Sequence, residues 1–145
     1  GGGGESDLLK RAATLPNVVC LPYMPQAQLF QEVARHDCFV LPSRFDSFGM
    51  VVPEAMAVGV PALVTDRVGA KCIIEQHPDA GWIVPCDAAA LKAQMRWLVD
   101  HRAELARASV ATRRAAQDYT WPNYRQRVVS TLEGIYERRR AQPIT

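Results

Sequence analysis

The sequence predicts an α/β fold: a doubly wound parallel sheet with flanking helices, followed by a helical C-terminal tail. Four short apolar runs, Val18 to Leu21, Cys38 to Leu41, Ala62 to Thr65 and Trp82 to Val84, begin 20, 24 and 20 residues apart. Each is too short for a helix and continuously apolar rather than alternating, the pattern of a strand buried on both faces. Helix-period stretches lie between the runs, and beyond Pro85 the pattern is helical throughout.

The elements follow in order. Gly1 to Gly4 reads as the loop after a strand, with a helix from Asp7. Pro22, Pro42 and Pro85 close three of the four strands, since proline cannot donate to a ladder. Leu29, Phe30, Val33 and Ala34 make the apolar face of a helix after the first strand. After the second comes a helix with Ala55, Met56 and Val58, which starts near Gly49 or Met50. Pro53 is confined to its first turn, and Gly59 and Pro61 end it. A shorter helix, 70–77, carries Ile73 and Ile74. Asp87 caps a helix with Leu91, Met95 and Leu98 on one side. Another helix runs from His101 to Asp118, and the last starts near Thr120 and Pro122 with Tyr124, Val128, Leu132 and Ile135 on one face. Four strands are fewer than the five or six of a usual sheet, so the chain is expected to begin inside a βα unit.

With 145 residues, 48% hydrophobic and 22% charged, the chain suits one domain with an ordinary core and excludes a disordered or fibrous protein. A net charge of +2 calls for no nucleic acid, but it hides an asymmetry. Residues 1–91 carry net −4 and residues 92–145 net +6, so the site chemistry is expected in the acidic part and solvated helices in the basic part. No apolar run reaches the length of a membrane span, and no signal peptide is expected. Cys20, Cys38, Cys72 and Cys86 form no C-x-x-C pair and are expected to be buried, reduced thiols rather than zinc ligands. His36, His77 and His101 are scattered, which suits surface or helix-end positions.

The chemistry concentrates between Pro42 and Pro61. This stretch follows a strand and so lies at the carboxyl edge of the sheet, where open α/β folds bind ligands. The first N–H groups of its helix can receive an anion such as a pyrophosphate, Gly49 giving close access. Asp46 and Glu54 frame the helix start eight positions apart. Carboxylates at such places can accept hydrogen bonds from sugar hydroxyls. The same spacing also fits a loop cap and a surface charge near a positive helix end.

The segment Asp46-Ser-Phe-Gly-x-x-x-x-Glu54-Ala-Met-Ala-x-Gly59, followed by Val60-Pro61, resembles the acid-x7-Glu signature of retaining family 4 glycosyltransferases. Around it, Gly2 to Glu5, Pro42-Ser43, Trp82 to Pro85 and Tyr119 to Trp121 resemble that family's glycine loop, strand ends and terminal-helix start, so the likeness covers nearly the whole chain. The resemblance implies the C-terminal half of a GT-B fold. Residues 1–120 would form a Rossmann-like domain binding a nucleotide-sugar donor such as a UDP- or GDP-sugar. Residues 121–140 would form a helix crossing to an N-terminal half, and 141–145 a tail. It assigns Glu54 to the ribose hydroxyls and Asp46, where the family more often has Glu, to the donor sugar. The backbone amides of Phe48, Gly49, Met50 and Val51 would meet sugar and phosphate, and Gly3 and Gly4 would line the phosphate side. The family's Arg and Lys that neutralise the pyrophosphate have no counterpart, because Lys10 and Arg11 follow the glycine loop.

The implied enzyme is a retaining hexosyltransferase with no metal and no cofactor, acting on a glycan or lipid-linked acceptor in bacterial surface polysaccharide (lipopolysaccharide or capsule) biosynthesis. It would be cytoplasmic, with peripheral association at the inner face of the plasma membrane through bases such as Arg138 to Arg140. Alone, this chain is expected to be inactive and to dimerise through its last helix. The alternative is a non-catalytic nucleotide-binding α/β regulatory module.

Overall fold

The computed structural model describes residues 3–141. In chain order these form α1 (Gly3–Ala13), α2 (Gln26–Val33), β1 (Phe39–Leu41), α3 (Val51–Ala57), β2 (Ala62–Thr65), α4 (Lys71–Gln76), β3 (Gly81–Val84), α5 (Ala88–Asp100), α6 (Arg102–Gln117) and α7 (Trp121–Ala141). The three strands pair in the order β1-β2-β3, all parallel, with Phe39 opposite Ala62 and Ala62 opposite Gly81.

Every residue of central β2 is buried, and its alternating side chains feed two cores. Ala62 and Val64 face Val52 and Met56 of α3, Ile73 and Ile74 of α4, and Ala111 and Ala115 of α6. Leu63 points the other way, toward Val84, Leu98 of α5 and Leu105 of α6. Alanines on α6 bring it close to α3, and Ser109 Oγ donates to the Gly59 carbonyl at 2.7 Å, an acceptor left over at the helix end. Gly59 itself takes the left-handed conformation (φ +87°) that ends α3. Asp87 caps α5 as predicted, its Oδ2 accepting from Ala90 N–H at 2.9 Å.

Three expectations change. Val18 to Leu21 is not a strand: it pairs with no strand among the described residues, and Val19 is 81% and Leu21 51% exposed. Its apolarity suits a strand buried on two faces, but without a neighbouring ladder the backbone has nothing to bond, and β1 keeps an unpaired edge among the described residues. Cys20, on the same run, is therefore exposed rather than buried, while Cys38, Cys72 and Cys86 are partly buried. Gly3 and Gly4 begin α1 rather than forming a loop, since the helix reaches upstream of Asp7. Glycine there costs backbone entropy but lies in the turn whose N–H groups need no helical partner. Gly1 and Gly2, and of the predicted tail all but Ala141, lie outside the described residues. α7 buries no residue.

Thr112 on α6 is fully buried with no hydrogen-bond partner for its hydroxyl among the described residues. An unpartnered buried hydroxyl forfeits its water bond without return, so Thr112→Val is expected to raise stability by about 1 kcal/mol. The urea midpoint should rise with an unchanged slope. Burial pushes the Cys38 thiol up to about 11. Any stability this burial contributes is fully present below pH 9 and lost as pH climbs through 11. At pH 8, iodoacetamide should label Cys20 and spare Cys38 in the folded protein, read by peptide mass.

Candidate functional site

At the carboxyl ends of β1 and β2, two loops lock together through their backbones. Thr65 Oγ1 donates to the Ser43 carbonyl at 2.5 Å, tying the loop after β1 to the end of β2. Asp46 and Val68 then form an isolated parallel bridge. Asp46 N–H donates to the Arg67 carbonyl (3.2 Å), Gly69 N–H to the Asp46 carbonyl (3.0 Å) and Ala70 N–H to the Phe48 carbonyl (2.5 Å). Gly69 is required at this crossing, because a Cβ there would collide with the Ser47 carbonyl and lie 2.9 Å from Phe48 Cα.

Within the clamped loop Phe48 N–H donates to Asp46 Oδ1 at 3.1 Å, a turn closed two residues along the chain. One carboxylate oxygen of Asp46 thus holds its own loop, and the other has no partner among the described residues. The reach of two residues suits the short aspartate, a local reason for Asp here. Gly49 follows at φ +84°, and a Cβ would sit 3.0 Å from Leu41 Cδ2 and 3.1 Å from Val68 Cγ1. Both the backbone conformation and the close packing therefore demand glycine.

The loop delivers the chain into α3. Met50 caps it with helical geometry and no side-chain hydrogen bond, and Val52 N–H donates to the Gly49 carbonyl at 2.9 Å. The N–H groups of Gly49, Met50 and Val51 have no backbone acceptor among the described residues. Successive free amides at such a turn make a concavity for an anion. Glu54 stands in the first turn of α3, partly exposed, with no ion pair or side-chain hydrogen bond among the described residues. Of the four amides singled out from the sequence, three are free and that of Phe48 is taken by Asp46.

The structure therefore brings Asp46, Phe48, Gly49, Met50, Val51 and Glu54 to one edge. Gly3 and Gly4 lie in the first turn of α1. Tyr23, just before α2, is almost fully exposed. The second loop, 66–70, escaped the sequence reading. Its Asp66 carboxylate accepts from Cys86 N–H (3.1 Å) and pairs with Arg67, while Lys71 Nζ donates to the Asp66 carbonyl (3.0 Å). A glycine four residues past a strand end, Gly69 after Thr65, was the available signal.

Three substitutions test the clamp. Gly69→Ala is expected to cost roughly 1–3 kcal/mol by forcing the loops apart. Asp46→Asn keeps the oxygen that receives Phe48 N–H and should change stability by no more than about 0.5 kcal/mol. Asp46→Ala loses that bond and should cost about 1 kcal/mol. Urea denaturation of the three variants checks all of these.

Comparison with known proteins identifies the family and the fold. The chain is 30% identical over 139 residues to a GDP-mannose-dependent alpha-mannosyltransferase of Mycolicibacterium smegmatis, covering 94% of this chain and 36% of that protein. It is 32% identical over 117 residues to a glycogen synthase of Mycobacterium tuberculosis, covering 79% and 27%. The fold superposes on a sucrose-phosphate synthase from Thermosynechococcus elongatus with a TM-score of 0.76 at 20% identity, over 92% of this chain and 34% of that one. The architecture is that of a GT-B glycosyltransferase domain, and the chain spans about a third of the length of these proteins. Residues 1–115 match the family described as glycosyl transferases group 1; by that match, over most of its length, the chain belongs to the group 1 glycosyl transferases.

Proposed function

We propose that this chain is the donor-binding C-terminal domain of a retaining family 4 glycosyltransferase. The observation that carries the reading is the run of three acceptor-free amides, Gly49 to Val51, one helical turn from the unpaired carboxylate of Glu54. A nucleoside diphosphate offers both matching groups: anionic oxygens for the amides and a pair of ribose hydroxyls for the carboxylate.

In this reading the donor is a UDP- or GDP-sugar. The Glu54 carboxylate accepts from the ribose hydroxyls, and the amides of Gly49, Met50 and Val51 take the phosphate and sugar oxygens. Asp46 spends one oxygen on the loop and turns the other toward the donor sugar. No metal or cofactor takes part. The anomeric carbon leaves the diphosphate oxygen and joins an acceptor hydroxyl on the same face, with the hydroxyl proton passing to the departing phosphate. The acceptor is a glycan or lipid-linked sugar of bacterial surface polysaccharide, at the cytoplasmic face of the membrane. The names of the relatives, a GDP-mannose-dependent enzyme and a glycogen synthase, support sugar transfer from a nucleotide-linked donor. Because the chain spans about a third of such proteins, alone it should bind the donor weakly and transfer nothing.

Ligand-observed NMR with UDP, GDP and ADP on the wild type and Glu54→Gln tests the reading. One base should bind, and the variant should weaken it by roughly tenfold, about 1.4 kcal/mol. Binding unaffected by the substitution would remove Glu54 from the ribose, and no nucleotide binding at about 10 mM would count against the donor-site reading.

A further inference from the structure

The clamp between the first two loops has a further anchor, at the end of the third strand. The last paired residues of β2 and β3 are Thr65 and Val84, and Asp66 extends that ladder by two more bonds. Its N–H donates to the Val84 carbonyl at 2.8 Å, and its carboxylate accepts from Cys86 N–H at 3.1 Å. Cys86 in turn places its Sγ 3.9 Å from the Ser43 carbonyl, the same oxygen that takes the Thr65 hydroxyl. The exit of β3 is thereby fastened to the chain leaving β1 and to the chain leaving β2.

Asp66 begins the second loop, and the next carbonyl along, that of Arg67, is the acceptor of Asp46 N–H. Asp46 holds Phe48 N–H through Oδ1, and the free amides of Gly49, Met50 and Val51 follow directly. A path of bonds thus runs from Cys86 through Asp66, Arg67 and Asp46 to the amide row. Hydrogen bonds to a carboxylate are stronger than neutral ones, so the step at Asp66 is a firm one. Its charge is at odds with its place, since a bare carboxylate beside amides that await an anion would repel it. Arg67 Nε lies 3.6 Å from the carboxylate, and Lys71 Nζ donates to the Asp66 carbonyl at 3.0 Å. Two cations offset one acid, which leaves hydrogen bonding as what the acid contributes.

We infer that Asp66 is a positioning residue: it holds the amides of Gly49, Met50 and Val51 in place through Arg67 and Asp46, bonding to none of the three itself. Binding groups work when their supports keep them within about 0.5 Å of the productive geometry. Losing the Cys86 bond frees the start of the second loop, so the Arg67 carbonyl swings and Asp46 follows. The backbone contacts of Gly69 and Ala70 remain, and the domain stays folded. For its consequence in nucleotide binding the inference rests on the donor-site reading; for the amides themselves it does not.

Two-dimensional proton–nitrogen NMR of the chain, with Asp66→Ala and Asp66→Asn beside the wild type, tests the inference. The amide signals of Gly49, Met50 and Val51 should move in Asp66→Ala, while those of Leu98 and Ala111 in the two cores stay. In Asp66→Asn, whose side-chain oxygen still accepts from Cys86 N–H, they should return. Whichever of UDP and GDP binds the wild type should bind Asp66→Ala roughly fivefold more weakly and Asp66→Asn within about twofold of the wild type. The side chain is 44% exposed, so the alanine variant is expected to fold. Should circular dichroism show otherwise, Asp66→Glu replaces it, its charge kept and its oxygens a methylene farther out, and the same signals should move. Signals unmoved in the folded variant, or moved as far by Asn as by Ala, overturn the inference. Moved signals with nucleotide affinity unchanged keep the inference and take these amides away from the nucleotide. With no nucleotide bound by the wild type the donor reading falls, and the amide signals alone decide on Asp66.

Discussion

The structure of the site depends on the backbone clamp between the loop after β1 and the loop after β2. Neither loop is long, and the side-chain bonds each carries, Asp46 to Phe48 N–H in one and Asp66 to Cys86 N–H in the other, do not join the two loops. Their conformations are set where Asp46 and Val68 bridge and where Ala70 and Phe48 share a 2.5 Å hydrogen bond. That contact in turn requires parallel β1 and β2 in one register, so that both chains leave the sheet at the same level. The central strand, buried at every residue, therefore fixes the height from which the site is built. Small residues complete it: Gly69 lets two backbones touch, and Gly49 turns the chain into α3.

The clamp explains why the free amides stay free. Gly49 is pinned between Leu41 and Val68, and Asp46 holds Phe48 N–H, so the loop cannot relax by folding its own carbonyls back onto Met50 or Val51. Donors aimed at a charge in advance need no reorganisation when it arrives. Rigidity here comes from backbone crossings at a sheet edge, which resist displacement better than exposed ion pairs do.

Much of this was legible in the sequence. Continuous apolar runs located β1, β2 and β3, the first and last closed by Pro42 and Pro85, and Pro53 with Gly59 located α3. The spacing of Asp46 and Glu54 singled out the loop and helix start that the structure holds at the sheet edge. The fourth run, Val18 to Leu21, misled because apolar continuity reports a preference for burial and says nothing of a partner; without one the run stays exposed. The role of Asp46 toward Phe48 N–H was hidden because it depends on the loop's turn, which in turn depends on a bridge to a residue 22 positions away. The last helix misled for a related reason: helix periodicity placed Tyr124 on a packing face, while α7 in fact packs none of its residues away.

That last feature divides the chain energetically. An isolated helix of about 20 residues is marginal in water, and most helices draw their stability from a packed face. α5 and α6 have such faces, with Leu98, Leu105 and Ala111 among the buried residues, but α7 depends on its own hydrogen bonds and its charges. The sheet and the helices packed on it share one cooperative opening, whereas α7 can fray with little effect on them. A single unfolding free energy therefore describes the sheet with α3, α4, α5 and α6 packed on it. The arm beyond it follows a separate helix–coil equilibrium, free to be stabilised by whatever its apolar residues meet.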